Sequence, residues 1–251
     1  MLEAVARVCR AVKVPVTADI ESGFASDVTA LEASITQIIQ AGAVGVNLED
    51  VMSANPVHQT ADLQNADAKN ADPIRHGSPL FPLPVQIARI QAARRAAQAA
   101  GIHLVINART DAYWQAGVEP AEAMRGTLER GKAYLQAGAD CIFVPGLRNP
   151  DHIRTVIDYL RANPPPDGLP ADRLSSDHGE PAINILAGPG VPSMPELAKL
   201  GVKRVSYGSG PHRAAMGLLR RMANEARTSG TYQALTEGAV PYEEINGLFK
   251  A

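Results

Sequence analysis

Apolar positions along this chain follow two alternating rhythms. Short apolar or β-branched runs at Val14–Asp19, Val44–Leu48, His103–Asn107, Cys141–Val144, Ala182–Ala187 and Lys203–Tyr207 read as strands. Between them, apolar residues three and four apart predict amphipathic helices over about 28–41, 84–100, 119–137, 150–162, 193–200 and 211–228. Four joints share one form: Ala41-Gly42-Ala43, Ala100-Gly101-Ile102, Ala137-Gly138-Ala139 and Leu200-Gly201-Val202. A glycine there fits the left-handed residue just past a helix end. The chain opens on a further helix, Leu2–Val12, and its last stretch, about 229–251, resembles a helix or two that pack elsewhere, on a partner subunit.

Strands alternating with helices of this length predict a parallel sheet with right-handed crossovers. Strand-end chemistry favours a barrel over an open sheet. Asp19, Glu49, Arg109 and Gly188 end different strands, where a (β/α)8 barrel carries its active site. A doubly wound sheet would show a glycine-rich fingerprint after its first strand, and Gly23 alone does not supply one. The expectation is a single TIM barrel domain over 1–251. Six strands fall two short of eight, so the first two βα units read as missing. That leaves a truncated start, an incomplete fold or completion by another chain. Residues 51–84 and 163–181 lack periodicity. The first follows Glu49-Asp50 and reads either as a lid or as an insertion; His58 and His76 within it lack ligand spacing.

The composition is that of an ordinary globular chain: 251 residues, 45% hydrophobic and 20% charged. A formal charge of −2 argues against a nucleic-acid surface. Arg94-Arg95 and Arg220-Arg221 read as solvated helix faces. Cys9 and Cys141 form no CxxC pattern, and Cys141 falls in a strand core, so a reducing, cytoplasmic location is expected. No apolar run is long enough to span a membrane, and no secretory signal is seen.

Candidate chemistry sits at the strand ends. Asp19 and Glu21 are two apart and would share a face if the strand stayed extended. Two such carboxylates suit a divalent cation, or else an acidic loop start that caps the next helix through Ser22 or Asp27. Glu49-Asp50 adds to the acidic rim. Mg2+ fits it because that ion keeps several waters and takes one or two carboxylates directly. Arg109 has the planar fork to hold a carboxylate or phosphonate, or to pair with Glu49 or Asp111, or both in the empty site. Gly188-Pro189-Gly190 and Gly208-Ser209-Gly210 follow the last two strands, as a phosphate cup or as plain turns. No lysine ends a strand, which counts against a Schiff base.

Taken in order, Ala-Asp-Ile-Glu-Ser-Gly-Phe (18–24), Gly-Val-Asn-Leu-Glu-Asp (45–50), Ile-Asn-Ala-Arg-Thr-Asp (106–111), Ala-Gly-Ala-Asp-Cys-Ile-Phe (137–143) and Ser-Tyr-Gly-Ser-Gly (206–210) make the chain similar to the phosphoenolpyruvate mutase/isocitrate lyase superfamily. The resemblance implies a barrel whose last helix is exchanged in a homo-oligomer, a dimer or tetramer. It also implies Mg2+ and a small 2-oxo or 2-hydroxy acid or phosphonate, cleaved at a C–C or P–C bond through a pyruvate-type enolate. On it, Asp19, Glu21 and Glu49 would hold the metal, Glu21 through water. Arg109 would grip substrate, with Gly188 and Gly208 nearby. Three departures stand out. The Lys-x-Cys-Gly-His segment of the isocitrate and methylisocitrate lyases gives way to Val51-Met52-Ser53-Ala54-Asn55-Pro56. An expected glutamate is Pro145, and an expected asparagine is Gly188. A true tricarboxylate lyase is therefore not expected. The rival readings are a phosphate-binding barrel isomerase or aldolase, and a degenerate barrel without catalysis.

Overall fold

The computed structural model describes residues 1–52, 79–164 and 181–249. Two compact units emerge, Met1–Ser206 and Tyr207–Ala251. The first holds α1 (Leu2–Ala11), β1 (Thr17–Asp19), α2 (Val28–Gln40), β2 (Gly45–Glu49), α3 (Leu83–Ala99), β3 (Val105–Arg109), α4 (Pro120–Ala137), β4 (Cys141–Phe143), α5 (Pro150–Ala162), β5 (Ala182–Leu186), α6 (Met194–Leu200) and β6 (Arg204–Ser206). A 3-10 turn, Ala112–Trp114, follows β3. All six strands pair in parallel, in chain order.

Alternation along the strands sorts the two faces of the sheet. Ala18, Val46, Leu48, Ile106, Ala108, Ile142, Ile183 and Ile185 are buried in one core with Leu31, Ile35 and Ile38 of α2, Ile90 of α3, and Ile153, Val156, Ile157 and Leu160 of α5. The other face carries Asp19, Asn47, Glu49, Asn107, Arg109, Cys141, Phe143, Asn184 and Arg204 by the same alternation. β1 and β6 are not neighbours, yet Arg204 Nη2 lies 3.5 Å from Thr17 Oγ1. The sheet therefore curls into a six-stranded half-barrel with its polar face inward.

The helix ends behave as the glycine joints predict: Gly42, Gly101, Gly138 and Gly201 all have positive φ. β3 begins two residues later than expected. His103 and Leu104 serve the base of the sheet instead of the ladder. There Arg94 of α3 donates to Leu104 O at 3.0 Å, Gly138 O at 2.7 Å and Asp140 Oδ2 at 2.6 Å. Asp140 also accepts Ile106 N at 2.7 Å and faces His103 Nε2 at 3.3 Å. Arg94 is therefore not on a solvated face: its side chain keeps only 13% exposure, because the carbonyls at the start of β3 and the end of α4 need a donor there. Arg95, next to it, does lie at the surface and pairs with Glu32.

The second unit holds α7 (Gly210–Thr228), α8 (Gln233–Thr236) and α9 (Tyr242–Gly247). Glu225 ties α7 to α8 by accepting from Thr231 Oγ1, Gln233 N and Ala234 N. Met216, Leu219, Tyr232 and Leu235 are exposed. Among the described residues no helix is long and apolar enough to cross a membrane.

Removing Asp140 leaves the Arg94 guanidinium in a closed site without its charge partner. Asp140→Ala is expected to lose about 3–5 kcal/mol in urea unfolding. An unchanged midpoint would mean that water already satisfies this site.

Candidate active site

β2 and β3 end side by side, with Glu49 opposite Arg109. Arg109 Nη1 donates to Glu49 Oε1 at 2.6 Å. Its Nε and Nη2 fork onto Asp111 Oδ1 and Oδ2 at 2.7 and 3.0 Å. The guanidinium also stands 5.6 Å from the Phe143 ring centroid. Burial opposes its charge, but Asp111, Glu49 and Asp19 outweigh that and hold it charged. Both pairings expected of Arg109 are present together.

Glu49 is pulled by one charge and pushed by three. Burial above all, then repulsion from Asp111, Asp19 and Glu21, drives its carboxyl up to about 7 against the attraction of Arg109. Its carbonyl accepts Gln86 Nε2 at 3.3 Å.

Asp19 and Glu21 do not share an extended face. The strand ends at Asp19, and Glu21 turns left-handed at φ 48°. The turn is fixed by bonds on both sides. Asp19 Oδ1 accepts Glu21 N and Asn47 Nδ2, each at 3.2 Å, and Glu21 O accepts Glu49 N at 2.8 Å. Asn47 in turn accepts Asn107 Nδ2 at 2.7 Å. A second support comes from Arg89 on α3. Fully buried and without a carboxylate partner among the described residues, it donates to Ser22 O and to Gln86 Oε1 and lies 4.4 Å over the Phe81 ring. Burial pulls its pKa down to about 10. A Cβ on Gly23 would run into Leu31, so this turn requires glycine there. Asp27, the other reading of the acidic stretch, does cap α2 through Ala30 N.

Asp50 faces away from the rim. It is fully buried and accepts Asp111 N at 3.0 Å, Tyr134 OH at 2.6 Å and Arg130 Nη1 at 3.2 Å. Burial raises its pKa against these three donors. Arg130 and Tyr134 were not legible as site residues: an Arg and a Tyr four apart on a helix look like an ordinary face. Val51 bridges Leu80, and Met52 N donates to Pro79 O, so the proposed lid is paired at its base; residues 53–78, with His58 and His76, lie outside the described residues.

Gly188 lies open after β5, where an added Cβ would meet nothing within 4 Å. Gly208, at φ 51°, belongs to the second unit. Cys141 is buried and its thiol is pushed up to about 12, as a core residue should be. Among the described residues no three His, Cys, Asp or Glu side chains already form a metal-ligand group.

The profile of a family described as phosphoenolpyruvate phosphomutase matches residues 1–227. A solved structure from Burkholderia cenocepacia, provisionally described as a lyase/mutase, is 30% identical with a TM-score of 0.77, covering 100% of this chain and 75% of that one. A second from the same organism, provisionally a phosphonomutase, is 33% identical with a TM-score of 0.68, covering 90% and 75%. Probable 2-methylisocitrate lyase 1 of Corynebacterium glutamicum is 29% identical over 90% of this chain and 62% of its own length.

The raised Glu49 carboxyl makes stability depend on pH. The folded protein holds this proton more tightly than the unfolded chain does. Its stabilisation is full below the ordinary value of 4.5 and is lost as pH rises through about 7. Relative to Glu49→Gln, the metal-free protein is expected to lose about 3 kcal/mol across that window, read from urea unfolding at a series of pH values. A difference independent of pH would place Glu49 at an ordinary carboxylate value.

Proposed function

Because the chain belongs to the phosphoenolpyruvate phosphomutase family, a group of lyases and mutases, we propose that it is a Mg2+-dependent lyase. Its substrate is a small 2-oxo or 2-hydroxy carboxylic acid or phosphonate. A C–C or P–C bond next to a carboxyl-bearing carbonyl breaks, and a pyruvate-type enolate forms. The observation that carries this reading is the Glu49–Arg109–Asp111 array at neighbouring strand ends.

Arginine has five N–H donors. Three are engaged by Glu49 and Asp111, which leaves two among the described residues, one on each terminal nitrogen. They are held in a fixed plane, ready for a substrate carboxylate and for the oxygen on which charge develops. Donors fixed in advance in a partly buried site need no reorganisation as the charge appears. Phe143 gives that site an apolar wall.

The donor set fits a hard divalent cation. Asp19, Glu21 and Glu49 supply oxygens, and the Glu49 carboxyl, raised chiefly by burial, is raised further by repulsion from Asp111, Asp19 and Glu21. No ready three-ligand cup is needed, since Mg2+ keeps several waters; Asp19 and Glu49 would bind it directly and Glu21 through water. When bound, the ion would act as a Lewis acid toward the carbonyl and carboxylate oxygens. Glu49 must shed its proton to become a ligand, so binding near neutral pH should release protons.

Val51 and Met52 stand where the lyases' Lys-x-Cys-Gly-His segment would begin, which supports a substrate other than isocitrate. The strand edges of β1 and β6, unpaired among the described residues, support a (β/α)8 barrel completed by two further βα units. The exposed apolar side chains of α7 and α8 support helix exchange in a homo-oligomer. The two free cysteines suit a cytoplasmic setting.

Oxalate mimics the pyruvate enolate and gives the direct test. Titration calorimetry is expected to show oxalate binding with Mg2+ and none without it, and Asp19→Ala should weaken that binding at least about tenfold, the loss of one charged ligand contact. Equal binding with and without Mg2+ would remove the metal from the proposal. No binding under either condition would favour a barrel without catalysis.

A further inference from the structure

Asp50 has the most demanding side-chain environment near the site, and the chemistry above makes no use of it. Its carboxylate is buried and takes three donors from two elements. One is the backbone N–H of Asp111, the residue whose own carboxylate forks onto Arg109. The other two come from α4, where Arg130 Nη1 also donates to Tyr134 OH at 2.8 Å, closing a triangle. Arg130 Nη2 donates to Phe81 O at 2.9 Å, while Phe81 N donates to Asp50 O at 2.8 Å. Asp50 N donates to Arg109 O at 3.1 Å, so the main chain of Asp50 is held from both sides.

We propose that Asp50, Arg130 and Tyr134 are positioning residues: by fixing the backbone of Asp111 they set the plane of the Arg109 guanidinium, and by holding Phe81 they lock the start of α3 to the same frame. A simple packing role does not account for the arrangement. A buried carboxylate with an arginine and a tyrosine carries a large desolvation cost, and an apolar trio of similar volume is often as stable or more so. What an apolar trio lacks is an acceptor for Asp111 N. Without that acceptor the turn at 110–111 loses its anchor, and the fork loses its fixed direction.

The test reads Arg109 directly, because the part concerning oxalate rests on the proposed function and the part concerning geometry does not. In 15N-labelled protein the Arg109 Nε–H, bonded to Asp111 Oδ1 at 2.7 Å, should be protected from exchange; Arg94 Nε–H, bonded to Gly138 O at 3.3 Å at the base of the sheet, serves as an internal control. Asp50→Ala, which leaves Asp111 N without its acceptor, is expected to cut Arg109 protection about tenfold while leaving Arg94 unchanged, and to weaken oxalate binding with Mg2+ by a similar factor. Tyr134→Phe keeps the ring and removes one donor, and should change Arg109 in the same direction to a lesser degree. Unaltered Arg109 protection in Asp50→Ala, or equal loss at Arg109 and Arg94, overturns the proposal. If Asp50→Ala fails to fold, unaltered Arg109 protection in Tyr134→Phe overturns it. If Arg109 responds but oxalate binds to no form of the protein, positioning stands and the enzymatic reading falls.

Discussion

A carboxylate sealed from water is the constraint around which this site is organised. Asp50 has no exposed surface, so every lone pair it turns toward the protein must find a donor there or pay the full cost of desolvation. The donors it finds belong to the turn after β3 and to α4, and its main chain bonds the ends of β3 and of the 79–81 segment. Satisfying one buried charge thereby fixes how three segments meet. The partly open array of Glu49, Arg109 and Asp111 rests on that junction.

The half-barrel shows a division of labour set by strand parity. Residues facing the helices are apolar and form one continuous core. Residues facing inward are mostly polar, and several are buried all the same. Asn184 is fully buried with neither amide atom paired among the described residues, and Asn107 Oδ1 and Ser206 Oγ are likewise unpaired. Such an interior favours the ordered water that buried polar groups recruit. It contrasts with the branched apolar layers that usually fill a closed (β/α)8 barrel. The apolar stability of the unit therefore comes from the sheet–helix interface, which leaves the inner face free to carry chemistry.

Electrostatics near the rim combine opposing trends on neighbouring residues. Glu49 is raised and Arg109 is held charged although the two form an ion pair. Burial raises Glu49 most, and an excess of negative charge adds to it: Asp111, Asp19 and Glu21 repel Glu49, while Asp111, Glu49 and Asp19 hold Arg109 charged against its burial. The turn at Glu21 helps to concentrate that charge, since Arg89 and the Asp19 carboxylate hold a left-handed backbone that a glutamate disfavours on its own. A site with one cation and four acids nearby stays incompletely neutralised, which is the condition for taking up a further cation.

The order and type of the elements were set by the sequence, because parity, helical spacing and glycine joints are local properties. All six strands and the helices between them fall where the pattern places them, within a residue or two at most ends. Asp19, Glu21, Glu49 and Arg109 could be singled out for the same reason: charged residues at the end of an apolar strand stand out against its background. Only the tertiary structure decided the rest. It turned Glu21 out of the strand, because the bond from Glu21 N to Asp19 and the bond from Arg89, over sixty residues away, to Ser22 O outweigh local extension. It buried Arg94, which looked solvated, because carbonyls at the base of the sheet lacked donors. It drew Arg130 and Tyr134 to Asp50 from eighty residues along the chain. Long-range satisfaction of buried polar groups leaves no periodic trace in a sequence, since it depends on which segments happen to meet in space.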